Sequence, residues 1–327
     1  MIGLEGHKIL SYYHEARKLE NKQMVVPRMV GIWLTNNCNL GCTYCYYADK
    51  HDNSFLQTKR VYQLLDELRE LGVESLEFSG GGEPTLHWNC FELIKRAKTM
   101  GFKVGLLTNG TVMDFDNIHY LDYIRVSLDS QDRESYERIK GKDYFARVLN
   151  NVKKLISLRQ SPRPRVGIKF MINRSNFIEI EQMVRLGIES GPVDYVQFKA
   201  THTDKDELAK YSETVESRLN ELKAKYSGFV YGSVKRARAK VKCFMSPIHA
   251  TITAKGEVLG CCYLFSDKVV IGNIYETSFK NIWFTKKHWD VIESISKEEC
   301  DKLDCRWNYY NWYMSEVMKG GNDIEFI

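Results

Sequence analysis

The sequence predicts an α/β fold: a partial (β/α)6 barrel followed by a smaller C-terminal α+β domain. Three observations predict it. Apolar, β-branched runs alternate six times with segments of helical periodicity between about residues 29 and 204. Each run ends in a polar or glycine-rich stretch, as a strand does where it hands over to a loop. Beyond residue 230 or so the rhythm stops, and short runs with turn signals carry five of the nine cysteines.

The elements follow in order. Residues 8 to 23 read as a helix and "MVGIWLTNN" from Met29 as a buried strand. A helix over 58 to 71, a strand over 73 to 79, the helix "CFELIKRAKTM" and the strand "FKVGLLTNG" come next. Then follow a strand over 123 to 130, the helix "YFARVLNNVKKLISL", a strand over 165 to 173, the helix "EIEQMVRLGIES" and a strand over 194 to 200. Six units fall short of the eight that close a barrel, so an open barrel is expected, with function at the C-terminal strand ends. A polar helix over 206 to 226 leads to the short strands in "TITAKGEVLGCCYLF" and "KVVIGNIYE". The expected domains are a helical extension over 1–28, the barrel over 29–204, a helical linker over 205–230 and a cysteine-bearing domain over 231–327.

With 327 residues, 43% of them hydrophobic, 27% charged and only six prolines, the chain is globular in composition rather than disordered or fibrous. A net charge of +5 tolerates an anionic substrate without demanding nucleic acid. The N-terminus lacks an apolar export core and no stretch is long enough to span a bilayer, so a cytoplasmic protein without membrane partners is expected. In that compartment nine cysteines are metal ligands or free thiols rather than a disulfide framework.

Cys38, Cys42 and Cys45 stand in "NNCNLGCTYC", directly after the first strand, at C-x3-C-x2-C spacing. Three thiolates can hold three irons of a cubic [4Fe-4S] cluster and leave the fourth iron without a protein ligand. A zinc knuckle, with His51 as its local fourth ligand, and three incidental core thiols are the competing readings. The second strand ends in "SGGGEP", where Gly81 and Gly82 allow close approach of backbone and Glu83 can accept from an ammonium. "LLTNGT" ends the third strand at Thr108 and Asn109, "RVSLDS" brings Ser127 and Asp129 to the end of the fourth, and Lys169 lies on the fifth.

These motifs resemble the radical S-adenosylmethionine (radical SAM) superfamily. That resemblance implies that the amino and carboxylate groups of S-adenosylmethionine (SAM) chelate the open iron, and that an electron from the cluster splits the sulfonium into methionine and a 5'-deoxyadenosyl radical. It further implies that Tyr44 packs on the adenine. Gly81, Gly82 and Glu83 would hold the amino group, Asn109 would add a further contact, Ser127 and Asp129 would meet the ribose, and Lys169 would neutralise the carboxylate.

In the C-terminal part, Cys243 is followed by twelve residues, Gly256, four more and Cys261, with Cys262 beside it and Cys300 and Cys305 at C-x4-C spacing. This is similar to the SPASM/Twitch extension of many radical SAM proteins. A full SPASM extension carries seven cysteines, so five argue for the Twitch form with one auxiliary [4Fe-4S] cluster on Cys243, Cys261, Cys300 and Cys305, Cys262 being spare or competitor. Zinc would accept the same four thiolates. Cys90, alone on a helix, reads as a core thiol. The tail "CRWNYYNWYMSEVM" supplies aromatics for core packing or for a planar substrate.

The function expected is therefore hydrogen abstraction from a small polar metabolite, a sugar, cyclitol or nucleotide derivative, with reduction by a flavodoxin- or ferredoxin-type donor. Only about 28 residues precede the barrel, too few for the winged-helix-like peptide domain of many peptide-modifying relatives. A peptide substrate, a nucleic acid gripped by the basic run "VKRARAKVK" over 234 to 242, and a non-catalytic metal module are the alternatives. Gln197, Lys199 and His202 are further barrel-lining candidates.

Overall fold

A computed structural model describes residues 11–159, 162–191, 193–201, 208–234, 241–261, 264, 266–302, 305 and 307–319. His202, Cys262 and residues 235–240 of the basic run lie outside the described residues. The chain forms two compact units, residues 32–62 with 75–235 and residues 1–31 with 63–74 and 236–327.

The strands follow as β1 (Met29–Trp33), β2 (Ser75–Ser79), β3 (Lys103–Thr108), β4 (Tyr123–Ser127), β5 (Arg165–Ile172), β6 (Tyr195–Ala200) and β7 (Val230–Ser233), of which β2 to β7 lie within the first unit. Neighbours from β2 to β7 pair in parallel, as the βα alternation requires. Side chains of successive residues point to opposite faces of the sheet. Phe78, Leu106, Ile124, Val126, Ile168, Phe170, Val196 and Phe198 are completely buried, while Glu77, Arg125, Ser127, Lys169, Gln197 and Lys199 share the opposite, partly buried face.

Helices supply the cover for the apolar face. α3 (Cys90–Thr99) buries Cys90, Leu93, Ile94 and Ala97 at the i, i+3, i+4 spacing of one helical stripe, and α2 (Thr58–Leu71), most of which belongs to the other unit, buries Val61, Leu64, Leu65 and Leu68 at the same spacing. α5 (Phe145–Leu158) turns Val148, Val152 and Leu155 inward, and α6 (Ile180–Glu189) does the same with Ile180, Met183 and Val184. Cys90 is thus the core thiol that its solitary position predicted.

Two elements were not anticipated. α4 (Arg133–Lys140) has little apolar content, yet the Asp132 side chain accepts from the Ser135 amide at 2.8 Å and Gly141 ends the helix at φ +75. β7 follows the polar helix α7 (Ser212–Lys225) and pairs in parallel with β6, extending the sheet past six strands.

The other unit holds α1 (Tyr13–Glu20) and the antiparallel strands β8 (His249–Ile252), β9 (Glu257–Leu259) and β10 (Val270–Asn273). α8 (Phe279–Trp283), α9 (Lys286–Ser294), α10 (Lys297–Lys302) and α11 (Trp307–Lys319) complete it. Ala16, Leu19, Val25, Phe244, Met245, Ile248 and Met314 make its core, and Trp307, Tyr310 and Tyr313 pack against them. Trp307, Tyr310 and Tyr313 of the aromatic tail thus serve core packing, while Trp312 is exposed.

Gly167 is required by its neighbour. A Cβ there would fall 2.0 Å from the Tyr195 ring, which crosses β5 at that point. Gly167→Ala is expected to lower stability by about 1–3 kcal/mol in urea unfolding through overpacking, and Tyr195→Leu in the same chain should recover part of the loss. An unchanged midpoint would refute this account of the glycine.

Candidate cluster and cofactor site

The three N-terminal thiols ride on a loop with little regular structure of its own, held by its neighbours from three sides. The amides of Gly41 and Thr43 donate to the carbonyls of Lys140 and Ile139, both at 2.9 Å, so the last turn of α4 clamps the middle of the loop. Asn39 Nδ2 donates to Thr111 Oγ1 and Asn109 Nδ2 donates to Asn39 Oδ1, both at 2.8 Å, tying the loop to the end of β3. On the third side the Gly82 amide donates to the Thr35 carbonyl at 3.1 Å and the Glu83 amide to the Asn37 carbonyl at 2.8 Å. A Cβ on Gly82 would lie 2.1 Å from that Asn37 oxygen, so only glycine permits the approach.

Glu83 is buried, with 3% of its surface exposed, and its carboxylate is heavily solvated by protein. Oε1 accepts from Thr85 N (3.2 Å), Thr85 Oγ1 (2.7 Å) and Thr108 Oγ1 (2.6 Å), while Oε2 accepts from Asn109 N (2.6 Å). Burial still raises its pKa, against these donors. A buried carboxylate in this state gains from a cation at its remaining lone pairs, which suits an ammonium ligand.

Tyr44, Asp129 and Lys140 form a second buried cluster. Asp129 is fully buried and Lys140 is 1% exposed, and the two form an ion pair. Tyr44 donates to the Asp129 carboxylate and receives the Lys140 ammonium at 2.9 Å, while the Met171 amide donates to Asp129 Oδ1 at 2.5 Å. Burial opposes the Lys140 charge, but Asp129 and Tyr44 outweigh it and hold its pKa well above the ordinary lysine value. Asp129 adopts φ +64, a left-handed conformation that costs a non-glycine residue about 1–3 kcal/mol and is sustained by this set of contacts. Both carboxylate oxygens of Asp129 therefore already have protein partners. Ser127 ends β4 in register with Lys169 of β5.

The donor chemistry of the three thiols suits an iron-sulfur cluster. Cys38, Cys42 and Cys45 are free and partly exposed. Burial pushes the Cys38 thiol up to about 11, against an amide donor from Leu40, and Glu83, Cys42 and Cys45 add to the rise, which places the three sulfurs within each other's field. His51 Nε2 sits 3.9 Å from Cys45 Sγ, but it also meets the Gly81 carbonyl at 3.1 Å. A nitrogen that donates to a carbonyl carries a proton and cannot ligate zinc in that arrangement. A cubane takes each of three thiolates on a separate iron.

The C-terminal thiols gather independently. Burial, with Cys243 and Cys261 as neighbours, pushes the Cys300 thiol up to about 12. Cys243 Sγ accepts from the Ser246 amide at 3.2 Å and from Asn311 Nδ2 at 3.5 Å, and Cys261 Sγ accepts from the Leu264 amide at 3.3 Å. Such donors stabilise a thiolate and tune metal-bound sulfur. Cys305 joins through the backbone, its amide donating to the Cys300 carbonyl at 3.4 Å. These four residues could hold one cluster.

Residues 32–187 match the model of the radical SAM superfamily, and residues 243–306 match that of an iron-sulfur cluster-binding domain, SPASM. The chain carries a radical SAM domain followed by a SPASM domain. The two thiol sets fall one in each, and together the domains imply [4Fe-4S] clusters and SAM. A probable GTP 3',8-cyclase of Saccharolobus solfataricus is 31% identical over 203 residues, 56% of this chain and 64% of that one. The chain thus spans just under two thirds of the length of that relative. Streptococcus suis SuiB bound to S-adenosylmethionine shares the fold at TM-score 0.69 and 16% identity, over 88% of this chain and 74% of its own. The SuiB structure bound to precursor peptide SuiA aligns at TM-score 0.67 and 15% identity, over 93% and 76%.

Asn39 and Lys140 escaped the sequence reading. Asn39 follows the first thiol and was visible only as a cap-forming residue type, and Lys140 stands at the end of the unanticipated α4. Lys140→Met leaves Asp129 buried without its counter-charge and is expected to cost about 3–5 kcal/mol in urea unfolding, with iron uptake on anaerobic reconstitution falling alongside. A loss below about 1 kcal/mol, the range of an exposed ion pair, would contradict the role given to this pair.

Proposed function

We propose that the protein is a radical SAM enzyme that abstracts a hydrogen atom from a small polar metabolite such as a sugar, cyclitol or nucleotide derivative. The observation that carries the reading is the three-thiol loop anchored beside the buried Glu83 carboxylate within the radical SAM domain. A [4Fe-4S] cluster held there would supply one-electron reductive cleavage of SAM, chemistry that no side chain can initiate.

The residues of the chain hold and orient the reactants. Cys38, Cys42 and Cys45 hold the metal group. Glu83 accepts the ammonium of SAM, with Gly81 and Gly82 allowing backbone to approach it, and Lys169 offers a cation to the carboxylate. Ser127 at the end of β4 faces the ribose. Asp129 is engaged with Lys140 and Tyr44, so its part is to fix the position of Tyr44 beside the adenine. Cys243, Cys261, Cys300 and Cys305 would hold an auxiliary cluster.

Support for a small polar substrate comes from the partly buried face that carries Glu77, Arg125, Lys169 and Gln197, a polar lining that suits a hydroxylated or charged molecule. The name of the Saccharolobus relative, a probable GTP 3',8-cyclase, falls within that class. The likeness to SuiB rests on fold alone and favours no substrate. Reduction in the cell is assigned to a flavodoxin- or ferredoxin-type donor.

Anaerobically reconstituted protein, reduced with dithionite, is expected to release 5'-deoxyadenosine and methionine from SAM, and Cys42→Ala should abolish the release. Glu83→Ala should weaken SAM binding about 10- to 100-fold, as loss of a charge-assisted hydrogen bond does. Equal 5'-deoxyadenosine from wild type and Cys42→Ala would overturn the proposal, as would its absence from iron-replete wild type.

A further inference from the structure

Tyr136 is sealed inside the radical SAM domain with its polar end unmatched. It stands on α4, a helix of mostly polar residues, yet none of its surface is exposed, and its ring meets Phe145 with centroids 5.9 Å apart. The hydroxyl oxygen is enclosed and has no hydrogen-bond partner among the described residues. A buried phenol ordinarily finds one, because an unmatched hydroxyl taken out of water costs stability that a phenylalanine in the same place would not lose.

The helix brings this hydroxyl to the thiol loop. Tyr136 and Lys140 are four residues apart and so share a face of α4, and Lys140 reaches inward to Asp129 and Tyr44. The amides of Gly41 and Thr43, which flank Cys42, donate to the carbonyls of Lys140 and Ile139. The approach is close enough that a Cβ on Gly141 would lie 2.9 Å from the Gly41 carbonyl oxygen. Cys42 is thus pressed against the turn of α4 that follows Tyr136. Burial raises the Tyr136 pKa; Lys140 opposes the rise, and Cys42, Asp129 and Glu83 reinforce it. The phenol therefore keeps its proton and lies within the field of the candidate cofactor site.

The carboxylates around it are already committed. Asp129 takes Tyr44, Lys140 and the Met171 amide, and Glu83 takes Thr85, Thr108 and the Asn109 amide. The three sulfurs differ among themselves. Cys38 faces the Leu40 amide, and Cys45 faces the amides of Tyr47 and Ala48. Among the described residues no hydrogen bond is formed to Cys42 Sγ, and the Tyr136 hydroxyl does not bond to that free thiol. A cluster held by the loop would bring further sulfur to the Cys42 corner, and sulfur of a cluster accepts hydrogen bonds.

We propose that the Tyr136 hydroxyl donates to a sulfur at the Cys42 corner of the cluster and so raises the reduction potential of that cluster. The inference rests on the reading of Cys38, Cys42 and Cys45 as a cluster site. Tyr136 is a positioning residue in this role, acting on the reaction through the metal group. A donor to sulfur favours the reduced, more negative state, so its loss moves the potential down.

The test is a redox titration, monitored by electron paramagnetic resonance, of reconstituted wild type and Tyr136→Phe without SAM. SAM is added afterwards to mark the signal that belongs to the Cys38, Cys42 and Cys45 site. In Tyr136→Phe that potential should fall by about 59 mV, the one-electron equivalent of a tenfold change, while the auxiliary cluster keeps its own. Urea unfolding of the apoprotein gives a second reading: the midpoint of Tyr136→Phe should equal or exceed that of wild type, since the lost hydroxyl had no partner. A partner within the polypeptide, or trapped water, predicts the reverse. An unmoved potential or a lower apo midpoint therefore refutes the proposal, as does a shift that needs SAM, because the acceptor is then SAM. If the apoprotein shows no cooperative transition, the potential decides alone. Wild type without a SAM-responsive cluster sinks the radical SAM reading and this inference with it, whereas a SAM-responsive cluster whose potential ignores Tyr136→Phe sinks only the hydrogen bond.

Discussion

An ammonium sealed from water beside one carboxylate sets the terms for the rest of the radical SAM domain. Lys140 and Asp129 are an expensive pair to bury, and the interior repays the cost because both partners make further hydrogen bonds. Asp129 takes the Met171 amide and the Tyr44 hydroxyl, and Lys140 takes Tyr44 with its side chain while its carbonyl takes the Gly41 amide. The same lysine therefore grips the thiol loop twice, once through the backbone and once through the side chain. A loop with so little structure of its own cannot present three sulfurs in fixed relation unless something outside imposes it.

The two thiol sites solve the same problem by different means. Around Cys38, Cys42 and Cys45 the surroundings are charged, with Glu83 on one side and the Lys140 pair on the other. Around Cys243 and Cys261 the sulfurs receive neutral donors, the amides of Ser246 and Leu264 and the carboxamide of Asn311. The proposed assignment of a substrate-facing cluster to the first set and an auxiliary cluster to the second follows the domains in which the two sets lie.

Much of this was legible in the sequence, for physical reasons. Strands buried on one face announce themselves as β-branched runs, and three thiols after a strand are legible because cluster ligation fixes their spacing. Gly81, Gly82 and Glu83 were legible because close backbone approach demands glycine. α4 was not, since "RESYERIK" has almost no apolar stripe; Asp132 and Gly141 at its ends were the signal available. β7 was missed because four residues, one of them glycine, carry too little periodicity to register. Lys140 was invisible for a different reason. A basic residue on a short helix is ordinarily solvated, and only the tertiary contacts reveal this charge sealed inside. Tyr44 and Asp129, read separately as ligand contacts, turn out to share one hydrogen-bonded cluster.

The central claim is that the polypeptide fills three corners of an iron-sulfur cubane and leaves the fourth for the sulfonium cofactor. Electron paramagnetic resonance of the reduced, reconstituted protein before and after addition of SAM tests it most directly, with Cys243→Ala/Cys261→Ala used to silence the auxiliary signal. A signal assigned to the Cys38, Cys42 and Cys45 site that changes shape when SAM is added is the predicted result. A site that binds no iron, or a signal that SAM leaves untouched, would contradict the account.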